Sequence, residues 1–225
     1  AWWNNIFYVN SLNAPQQLQR YDVNGNNLGA INMGFTCYGV ASDLENNWLF
    51  VQNVNIGGYP IYVYNINEDG TLGQQVGTIQ GVYAANGNVL HYGFEWFYKH
   101  IDEGALWYSN ATQQQAREWL VNTENWQLVQ NQPVRAFNVG TNQPYDAVAH
   151  DQYHLWVGGY APNTIRIYDD GIQEAYWLGY EPRDFRIESG SDLDVVVTLN
   201  AAGLVEGDYE ADLHFLSNDP DDRDV

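Results

Sequence analysis

The feature that most constrains this chain is a two-strand phrase that returns four times along it. A short run of strand-forming residues contains or ends on an aromatic, a variable polar connection follows, and a second such run leads into a polar turn rich in Asn, Asp or Gly. The copies are Ile6-Phe7-Tyr8-Val9 with Leu18 to Val23, Trp48-Leu49-Phe50-Val51 with Ile61 to Ile66, Ala105-Leu106-Trp107-Tyr108 with Glu118 to Val121, and Leu155-Trp156-Val157-Gly158 with Ile165 to Asp169. β-Branched and aromatic residues between turn-forming clusters suit a pleated surface. The second and fourth copies share a lead-in, because Ala41 stands seven residues before Trp48 and Ala149 seven before Trp156. A repeat of about 40 to 60 residues means a series of small sheets, none of which buries its apolar face without a neighbour. Within the first copy, Asn24-Gly25 predicts a two-residue hairpin turn.

Composition agrees with an all-β chain. Among 225 residues there are 17 Tyr and 9 Trp, but one Met and a single lysine, Lys99, so strand formers outnumber the strong helix formers. The 28 acidic residues against 8 basic ones give a net charge of −20. A surface of that sign repels phosphate backbones and anionic lipid, which excludes nucleic acid as a partner and favours divalent cations or basic proteins. No run approaches the roughly 20 apolar residues of a membrane helix, so membrane insertion is not expected. Cys37 has no second cysteine to pair with. In its short apolar run it reads as a buried thiol and not a nucleophile. The chain starts at Ala1 and reads as a mature or trimmed product.

The repeats resemble the blades of secreted bacterial β-propellers, which carry phrases of the form Ala-x-Asp, Leu-Trp-Val and Ile-x-x-Tyr-Asp. Here those words are Ala149-His150-Asp151, Leu155-Trp156-Val157 and Ile165 to Asp169, with Ala41-Ser42-Asp43, Trp48 to Val51 and Ile61 to Asn65 as a second copy. The resemblance implies propeller-like four-stranded blades over residues 1–180 and a place outside the cell or on its surface. Residues 181–225 change character, with Leu193 to Leu199 and Tyr209 to Leu216 alternating apolar and polar, the pattern of a sheet wetted on one side. Glu188-Ser189-Gly190-Ser191, Val197-Thr198-Leu199-Asn200, Gly203 to Tyr209 and Ser217-Asn218-Asp219-Pro220 resemble the immunoglobulin-like modules called choice-of-anchor or hydin-like. Such modules continue into one more strand after the Asn-Asp-Pro phrase, so this one is expected to be an incomplete β-sandwich lacking its last strand.

Signals for chemistry are sparse. His150 and His154 have an i, i+4 spacing but no Cys partner and no His-Glu-x-x-His motif, so they read as a loop and a strand residue and not zinc ligands. The acidic turns offer calcium candidates in Asp22, Asn24, Asp69, Asp169, Asp170, Asp219 and Asp221. Oxygen ligands on loops suit Ca²⁺, but no turn follows the twelve-residue loop, and Asp/Asn-Gly is also ordinary turn chemistry. Asn110-Ala111-Thr112 is a single glycosylation sequon in an Asn-rich chain. No other cofactor is implied and no catalytic signature is found.

The expectation is therefore a non-enzymatic interaction or structural protein with a protein partner or a second copy of itself. The residues that would carry the contact are Trp2, Trp3, Phe7 and Val9 at one end and Leu213 and Phe215 at the other. Strand donation from Trp2 to Val9 into the incomplete module of a neighbour would build a filament. The alternatives are a secreted propeller enzyme, a polysaccharide lyase or glycosidase with two acids on distant blades, and a calcium-dependent lectin that binds glycan through exposed aromatics.

Overall fold

A computed structural model describes residues 1–10, 14–89, 93–97, 104–110, 112–139, 147–150, 154–160, 163–169, 177–182, 187, 190–202, 204 and 206–209. The described residues form strands and turns with almost no helix. The first antiparallel sheet runs β1 (Trp2–Trp3), β2 (Ile6–Asn10), β3 (Gln17–Asp22), β4 (Asn27–Asn32), and the second runs β5 (Cys37–Asp43), β6 (Trp48–Asn53), β7 (Ile61–Ile66), β8 (Leu72–Ile79). A single helical turn, α1 (Val82–Ala85), leads to the third sheet. That sheet holds β9 (Phe94–Phe97), β10 (Gly104–Asn110), β11 (Gln115–Asn122) and β12 (Gln127–Leu128), and β13 (Arg135–Asn138) also pairs with β11. The fourth holds β14 (Ala147–His150), β15 (His154–Tyr160) and β16 (Asn163–Asp169). The expectation of four strands per blade thus holds for the first two sheets, while the third has five and the fourth shows three among the described residues.

The leading strands β1, β5, β9 and β14 lie against one another in turn, so the sheets stand side by side as blades. This is a four-blade β-propeller arrangement. Three apolar clusters fill the three joints between blades. Trp3, Tyr8 and Leu18 of the first blade meet Leu49 and Val51 of the second; Phe50, Ile61 and Val63 meet Trp96, Leu106 and Trp119 of the third; Trp107 and Ala116 meet Val148, Leu155 and Val157 of the fourth.

A blade with neighbours on both sides buries both its faces, and its central strand cannot alternate apolar with polar. In β6, Leu49 and Val51 point toward the first blade and Phe50 toward the third; in β10, Leu106 and Tyr108 point back and Trp107 forward. Both strands therefore read as continuous apolar runs. At the second joint the packing is aromatic, with Phe50 stacked on Trp96 at 4.3 Å between centroids and edge-on to Trp126 at 6.1 Å. The Trp96 ring lies so close to the backbone of Gly104 that a Cβ there would overlap it.

Polar groups tie the same joints. Tyr8 donates its hydroxyl to the Gly70 carbonyl at 2.8 Å, and the Trp3 indole donates to Asn47 Oδ1 at 2.9 Å. Asp43 is buried at the end of β5 and accepts from the amides of Glu45 and Asn46, from Asn46 Nδ2, and from the Trp96 indole of the next blade at 3.0 Å. The Asp of the Ala-x-Asp phrase thus caps its own turn and anchors the following blade. In the fourth repeat the matching Asp151 lies outside the described residues.

The chain divides into two compact units, Ala1–Asp170 and Gly171–Val225. In the second, β17 (Leu178–Glu181) pairs antiparallel with β18 (Val196–Leu199) in the register Leu178↔Leu199 to Glu181↔Val196. The strand expected over Leu193 to Leu199 is present in its second half, and residues 210–225 lie outside the described set. Among the described residues no helix is long and apolar enough to cross a membrane.

Candidate interaction surface

Among the described residues the first blade has a neighbour on one face only, and its other face carries the residues singled out in the sequence. Strand alternation sends Trp3 and Tyr8 into the joint with the second blade and leaves Trp2, Phe7 and Val9 pointing away from it. Trp2 is 42% exposed, Phe7 42% and Val9 45%. Cross-strand register builds these into a surface, with Trp2 opposite Phe7, Phe7 opposite Tyr21, and Val9 opposite Gln19, itself opposite Ala30. None of these positions is charged, on a chain of net charge −20. The pair Trp2-Trp3 divides as strand geometry requires, one ring in the core and one outside.

The strand that would be donated to a neighbour is already engaged. Residues 2–10 pair with one another and with β3, and the Tyr8 amide donates to the Ala1 carbonyl at 2.9 Å. The first blade therefore offers a sheet face and not a free strand. Leu213 and Phe215, the expected counterpart, lie outside the described residues.

The acidic turns that are described use their carboxylates internally. The β3–β4 connection has four residues, Val23 to Asn26, and is not the two-residue hairpin predicted from Asn24-Gly25. Asp22 Oδ1 accepts from the amides of Asn24 and Asn26, and Oδ2 from Asn26 Nδ2. An acidic side chain that closes a wider turn onto itself makes the tight turn unnecessary. Asp69 does the same with the amide and hydroxyl of Thr71. Hydrogen bonds from Asn26 and from Thr71 hold the two carboxyls below the usual Asp range. Asn24 serves as a donor in its turn. Asp169 ends β16 in register with His154, its side chain is not described, and Asp170, Asp219 and Asp221 lie outside the described residues. Among the described residues no group of three or more His, Cys, Asp or Glu is gathered as a metal site would need.

The two histidines do not share a face. His150 is on β14 and packs against Phe97 at 4.5 Å and Trp107 at 5.8 Å, inside the third joint, whereas His154 is on β15 and exposed. Cys37 is buried and its thiol is pushed up by desolvation, away from the nucleophilic range. The sequon asparagine is also committed to the interior, since buried Asn110 gives its side-chain amide to Asn86.

Sequence reasoning missed Glu95, on the leading strand of the third blade. It is half-buried and accepts from the Trp96 amide at 3.0 Å. Desolvation pushes its carboxyl up to about 7, against the opposing pull of that amide and of the Ala1 amino group. Since its folded-state value stands above its unfolded one, its contribution to stability is complete below about pH 4.5 and is lost as pH rises through 7. Allowing for residual solvent access, Glu95→Gln should be more stable than wild type by about 2 kcal/mol at pH 8 and nearly equal to it at pH 4.5. Urea unfolding of both proteins at the two pH values checks this, and an identical difference at both would rule it out.

No family model matches the chain, and no curated protein matches it. Solved structures similar to it include the Dos1 propeller (TM-score 0.44, 12% identity, 74% of this chain and 53% of that one) and the WD40 domain of Toxoplasma gondii coronin (TM-score 0.40, 12% identity, 75% and 44%). A chain of the mitotic checkpoint complex is also similar (TM-score 0.38, 15% identity, 73% and 44%). The chain spans about half the length of these solved chains.

Proposed function

We propose that this chain is a non-enzymatic interaction protein that works outside the cell and binds protein through the open face of its first blade. The observation that carries the reading is the row Trp2, Phe7 and Val9, each more than two-fifths exposed, on a sheet whose opposite face buries Trp3, Tyr8 and Leu18 against the second blade. Exposed aromatic and aliphatic side chains gathered on one rigid sheet, with no charge among them, have the composition of an interface core. The resemblance of residues 181–225 to immunoglobulin-like modules of secreted proteins supports the extracellular setting and gives that segment the role of a companion module.

The test is a photo-crosslinking amino acid in place of Phe7, with one at exposed Val23 as control, in protein made in its source cells. A protein adduct, whether another protein or a second copy of this chain, from position 7 and none from position 23 is the expected result. Equal labelling from both positions, or none from position 7, would overturn the reading.

A further inference from the structure

The row of blades is apolar at both of its ends. On the fourth blade, Leu155 and Val157 point into the joint with the third, so the opposite side of the same sheet carries Ile165 and Ile167, 72% and 54% exposed, beside exposed Ala147 and Ala149. Register places these in two adjacent rows, Ala147 to Gly158 to Ile165 and Ala149 to Trp156 to Ile167. The two end faces are thus the first blade's Trp2, Phe7 and Val9 and the fourth blade's Ile165 and Ile167. If the four blades closed a ring by themselves, these faces would cover each other. They are exposed, so the ring is open between the fourth blade and the first.

Every joint inside the chain puts the rearward face of one blade against the forward face of the blade before it, through an apolar cluster. The fourth blade's open face is of the forward kind and the first blade's is of the rearward kind. They are the two halves of one more such joint, held apart. We propose that a second copy of this chain supplies both missing halves. The fourth blade of each copy packs on the first blade of the other, giving an eight-bladed ring with a two-fold axis along its centre.

One observation of the structure and two general rules favour a second copy over another occupant. The established joints already show this pair of face types meeting. Propellers close with about four to eight blades, and two copies of four fall within that range where three do not. A head-to-tail contact closes when the rotation between copies divides the circle, so both ends are satisfied with nothing left to grow from. This inference rests on the proposed use of the first blade's face and names its partner.

Analytical ultracentrifugation of the whole chain in 0.3 M salt, which screens repulsion between the two acidic copies, should show a discrete species of twice the 25.6 kDa chain mass. Phe7→Asp and Ile167→Asp alone should each weaken association at least about tenfold, because each puts a charge in the joint. An equimolar mixture of the two variants should recover dimer, since one of its two joints then joins a native fourth blade to a native first blade. A wild-type chain that stays monomeric at 100 μM would overturn the proposal, as would polymers of open-ended size. So would loss of the dimer in Phe7→Asp with none in Ile167→Asp, which would mean first-blade faces meeting each other. A monomer that still crosslinks another protein from position 7 would end the ring and leave the proposed function standing; a monomer that crosslinks nothing would end both.

Discussion

Arg135→Ala is expected to lower the unfolding free energy by about 3 to 5 kcal/mol, because it strands a buried carboxylate. Glu118 lies almost wholly inside, on the side of β11 that carries Ala116 into the joint with the fourth blade. Arg135, from the neighbouring β13, meets it with two bonds, Nε to Oε2 at 2.5 Å and Nη2 to Oε1 at 3.0 Å, and lies over the Trp107 ring at 5.3 Å. Truncating the arginine removes the fork and the cation over the ring, and leaves Glu118 charged in a desolvated place. The double variant Glu118→Gln with Arg135→Met should recover all but about 1 kcal/mol, since removing both charges removes the burial cost as well. Urea unfolding of the three proteins measures this. A loss below 1 kcal/mol in Arg135→Ala would mean that the pair behaves as a surface ion pair.

That pair shows where the sequence stops being legible. Nothing local marks Glu118 or Arg135, which stand 17 positions apart with a turn and β12 between them, and their meeting depends on β13 joining the edge of β11. Asp43 is similar. Its phrase is visible, but its partner Trp96 is 53 residues away in another blade. The central strands were the clearest part, because burial on both faces concentrates apolar residues in Trp48 to Val51 and Ala105 to Tyr108. The outer strands were the least clear. β4 and β8 sit at blade edges with much of their length exposed, and Asn27–Asn32 and Leu72–Ile79 carry Asn, Gln and Gly where an alternating signal would otherwise stand.

The surface was legible for a related reason. A strand that must bury one side and carries a large ring on each of two successive residues declares that its second ring needs an explanation, and Trp2 does so. The fourth blade's open face gave no such sign. Ile165 and Ile167 alternate with Thr164, Arg166 and Tyr168, and a reader of the sequence would put the isoleucines inside. In the fold Arg166 and Tyr168 turn inward instead, both donating to the Val139 carbonyl, and the isoleucines are left outside. Polar side chains reaching a backbone acceptor across a joint reverse the usual inference from hydropathy.

Phe50→Ala should cost about 3 to 5 kcal/mol, and its effect should reach both blades of the second joint. The ring is fully buried, stacked on Trp96 and edge-on to Trp126, and Trp126 in turn meets Trp48 edge-on at 4.8 Å. Removing it opens a ring-sized void between rigid aromatic planes that have no short path to collapse, so the cavity cost adds to the lost burial and to about 0.5 to 1.5 kcal/mol of ring pairing. For a chain of this length each kcal/mol shifts the melting midpoint by about 2 to 4 °C, so the variant should melt roughly 6 to 20 °C lower. Water reaching Trp96 and Trp126 should also shift the indole emission to the red. Phe50→Leu, which keeps most of the volume, should lose about half as much or less. Phe7→Ala, on the exposed face, should change the stability of the monomer by no more than about 0.5 kcal/mol. If Phe50→Ala and Phe7→Ala proved equally mild, the second joint would not be the packed core that the blades share, and the stacking of blades would have to be held by the polar ties at Asp43 and Tyr8 instead.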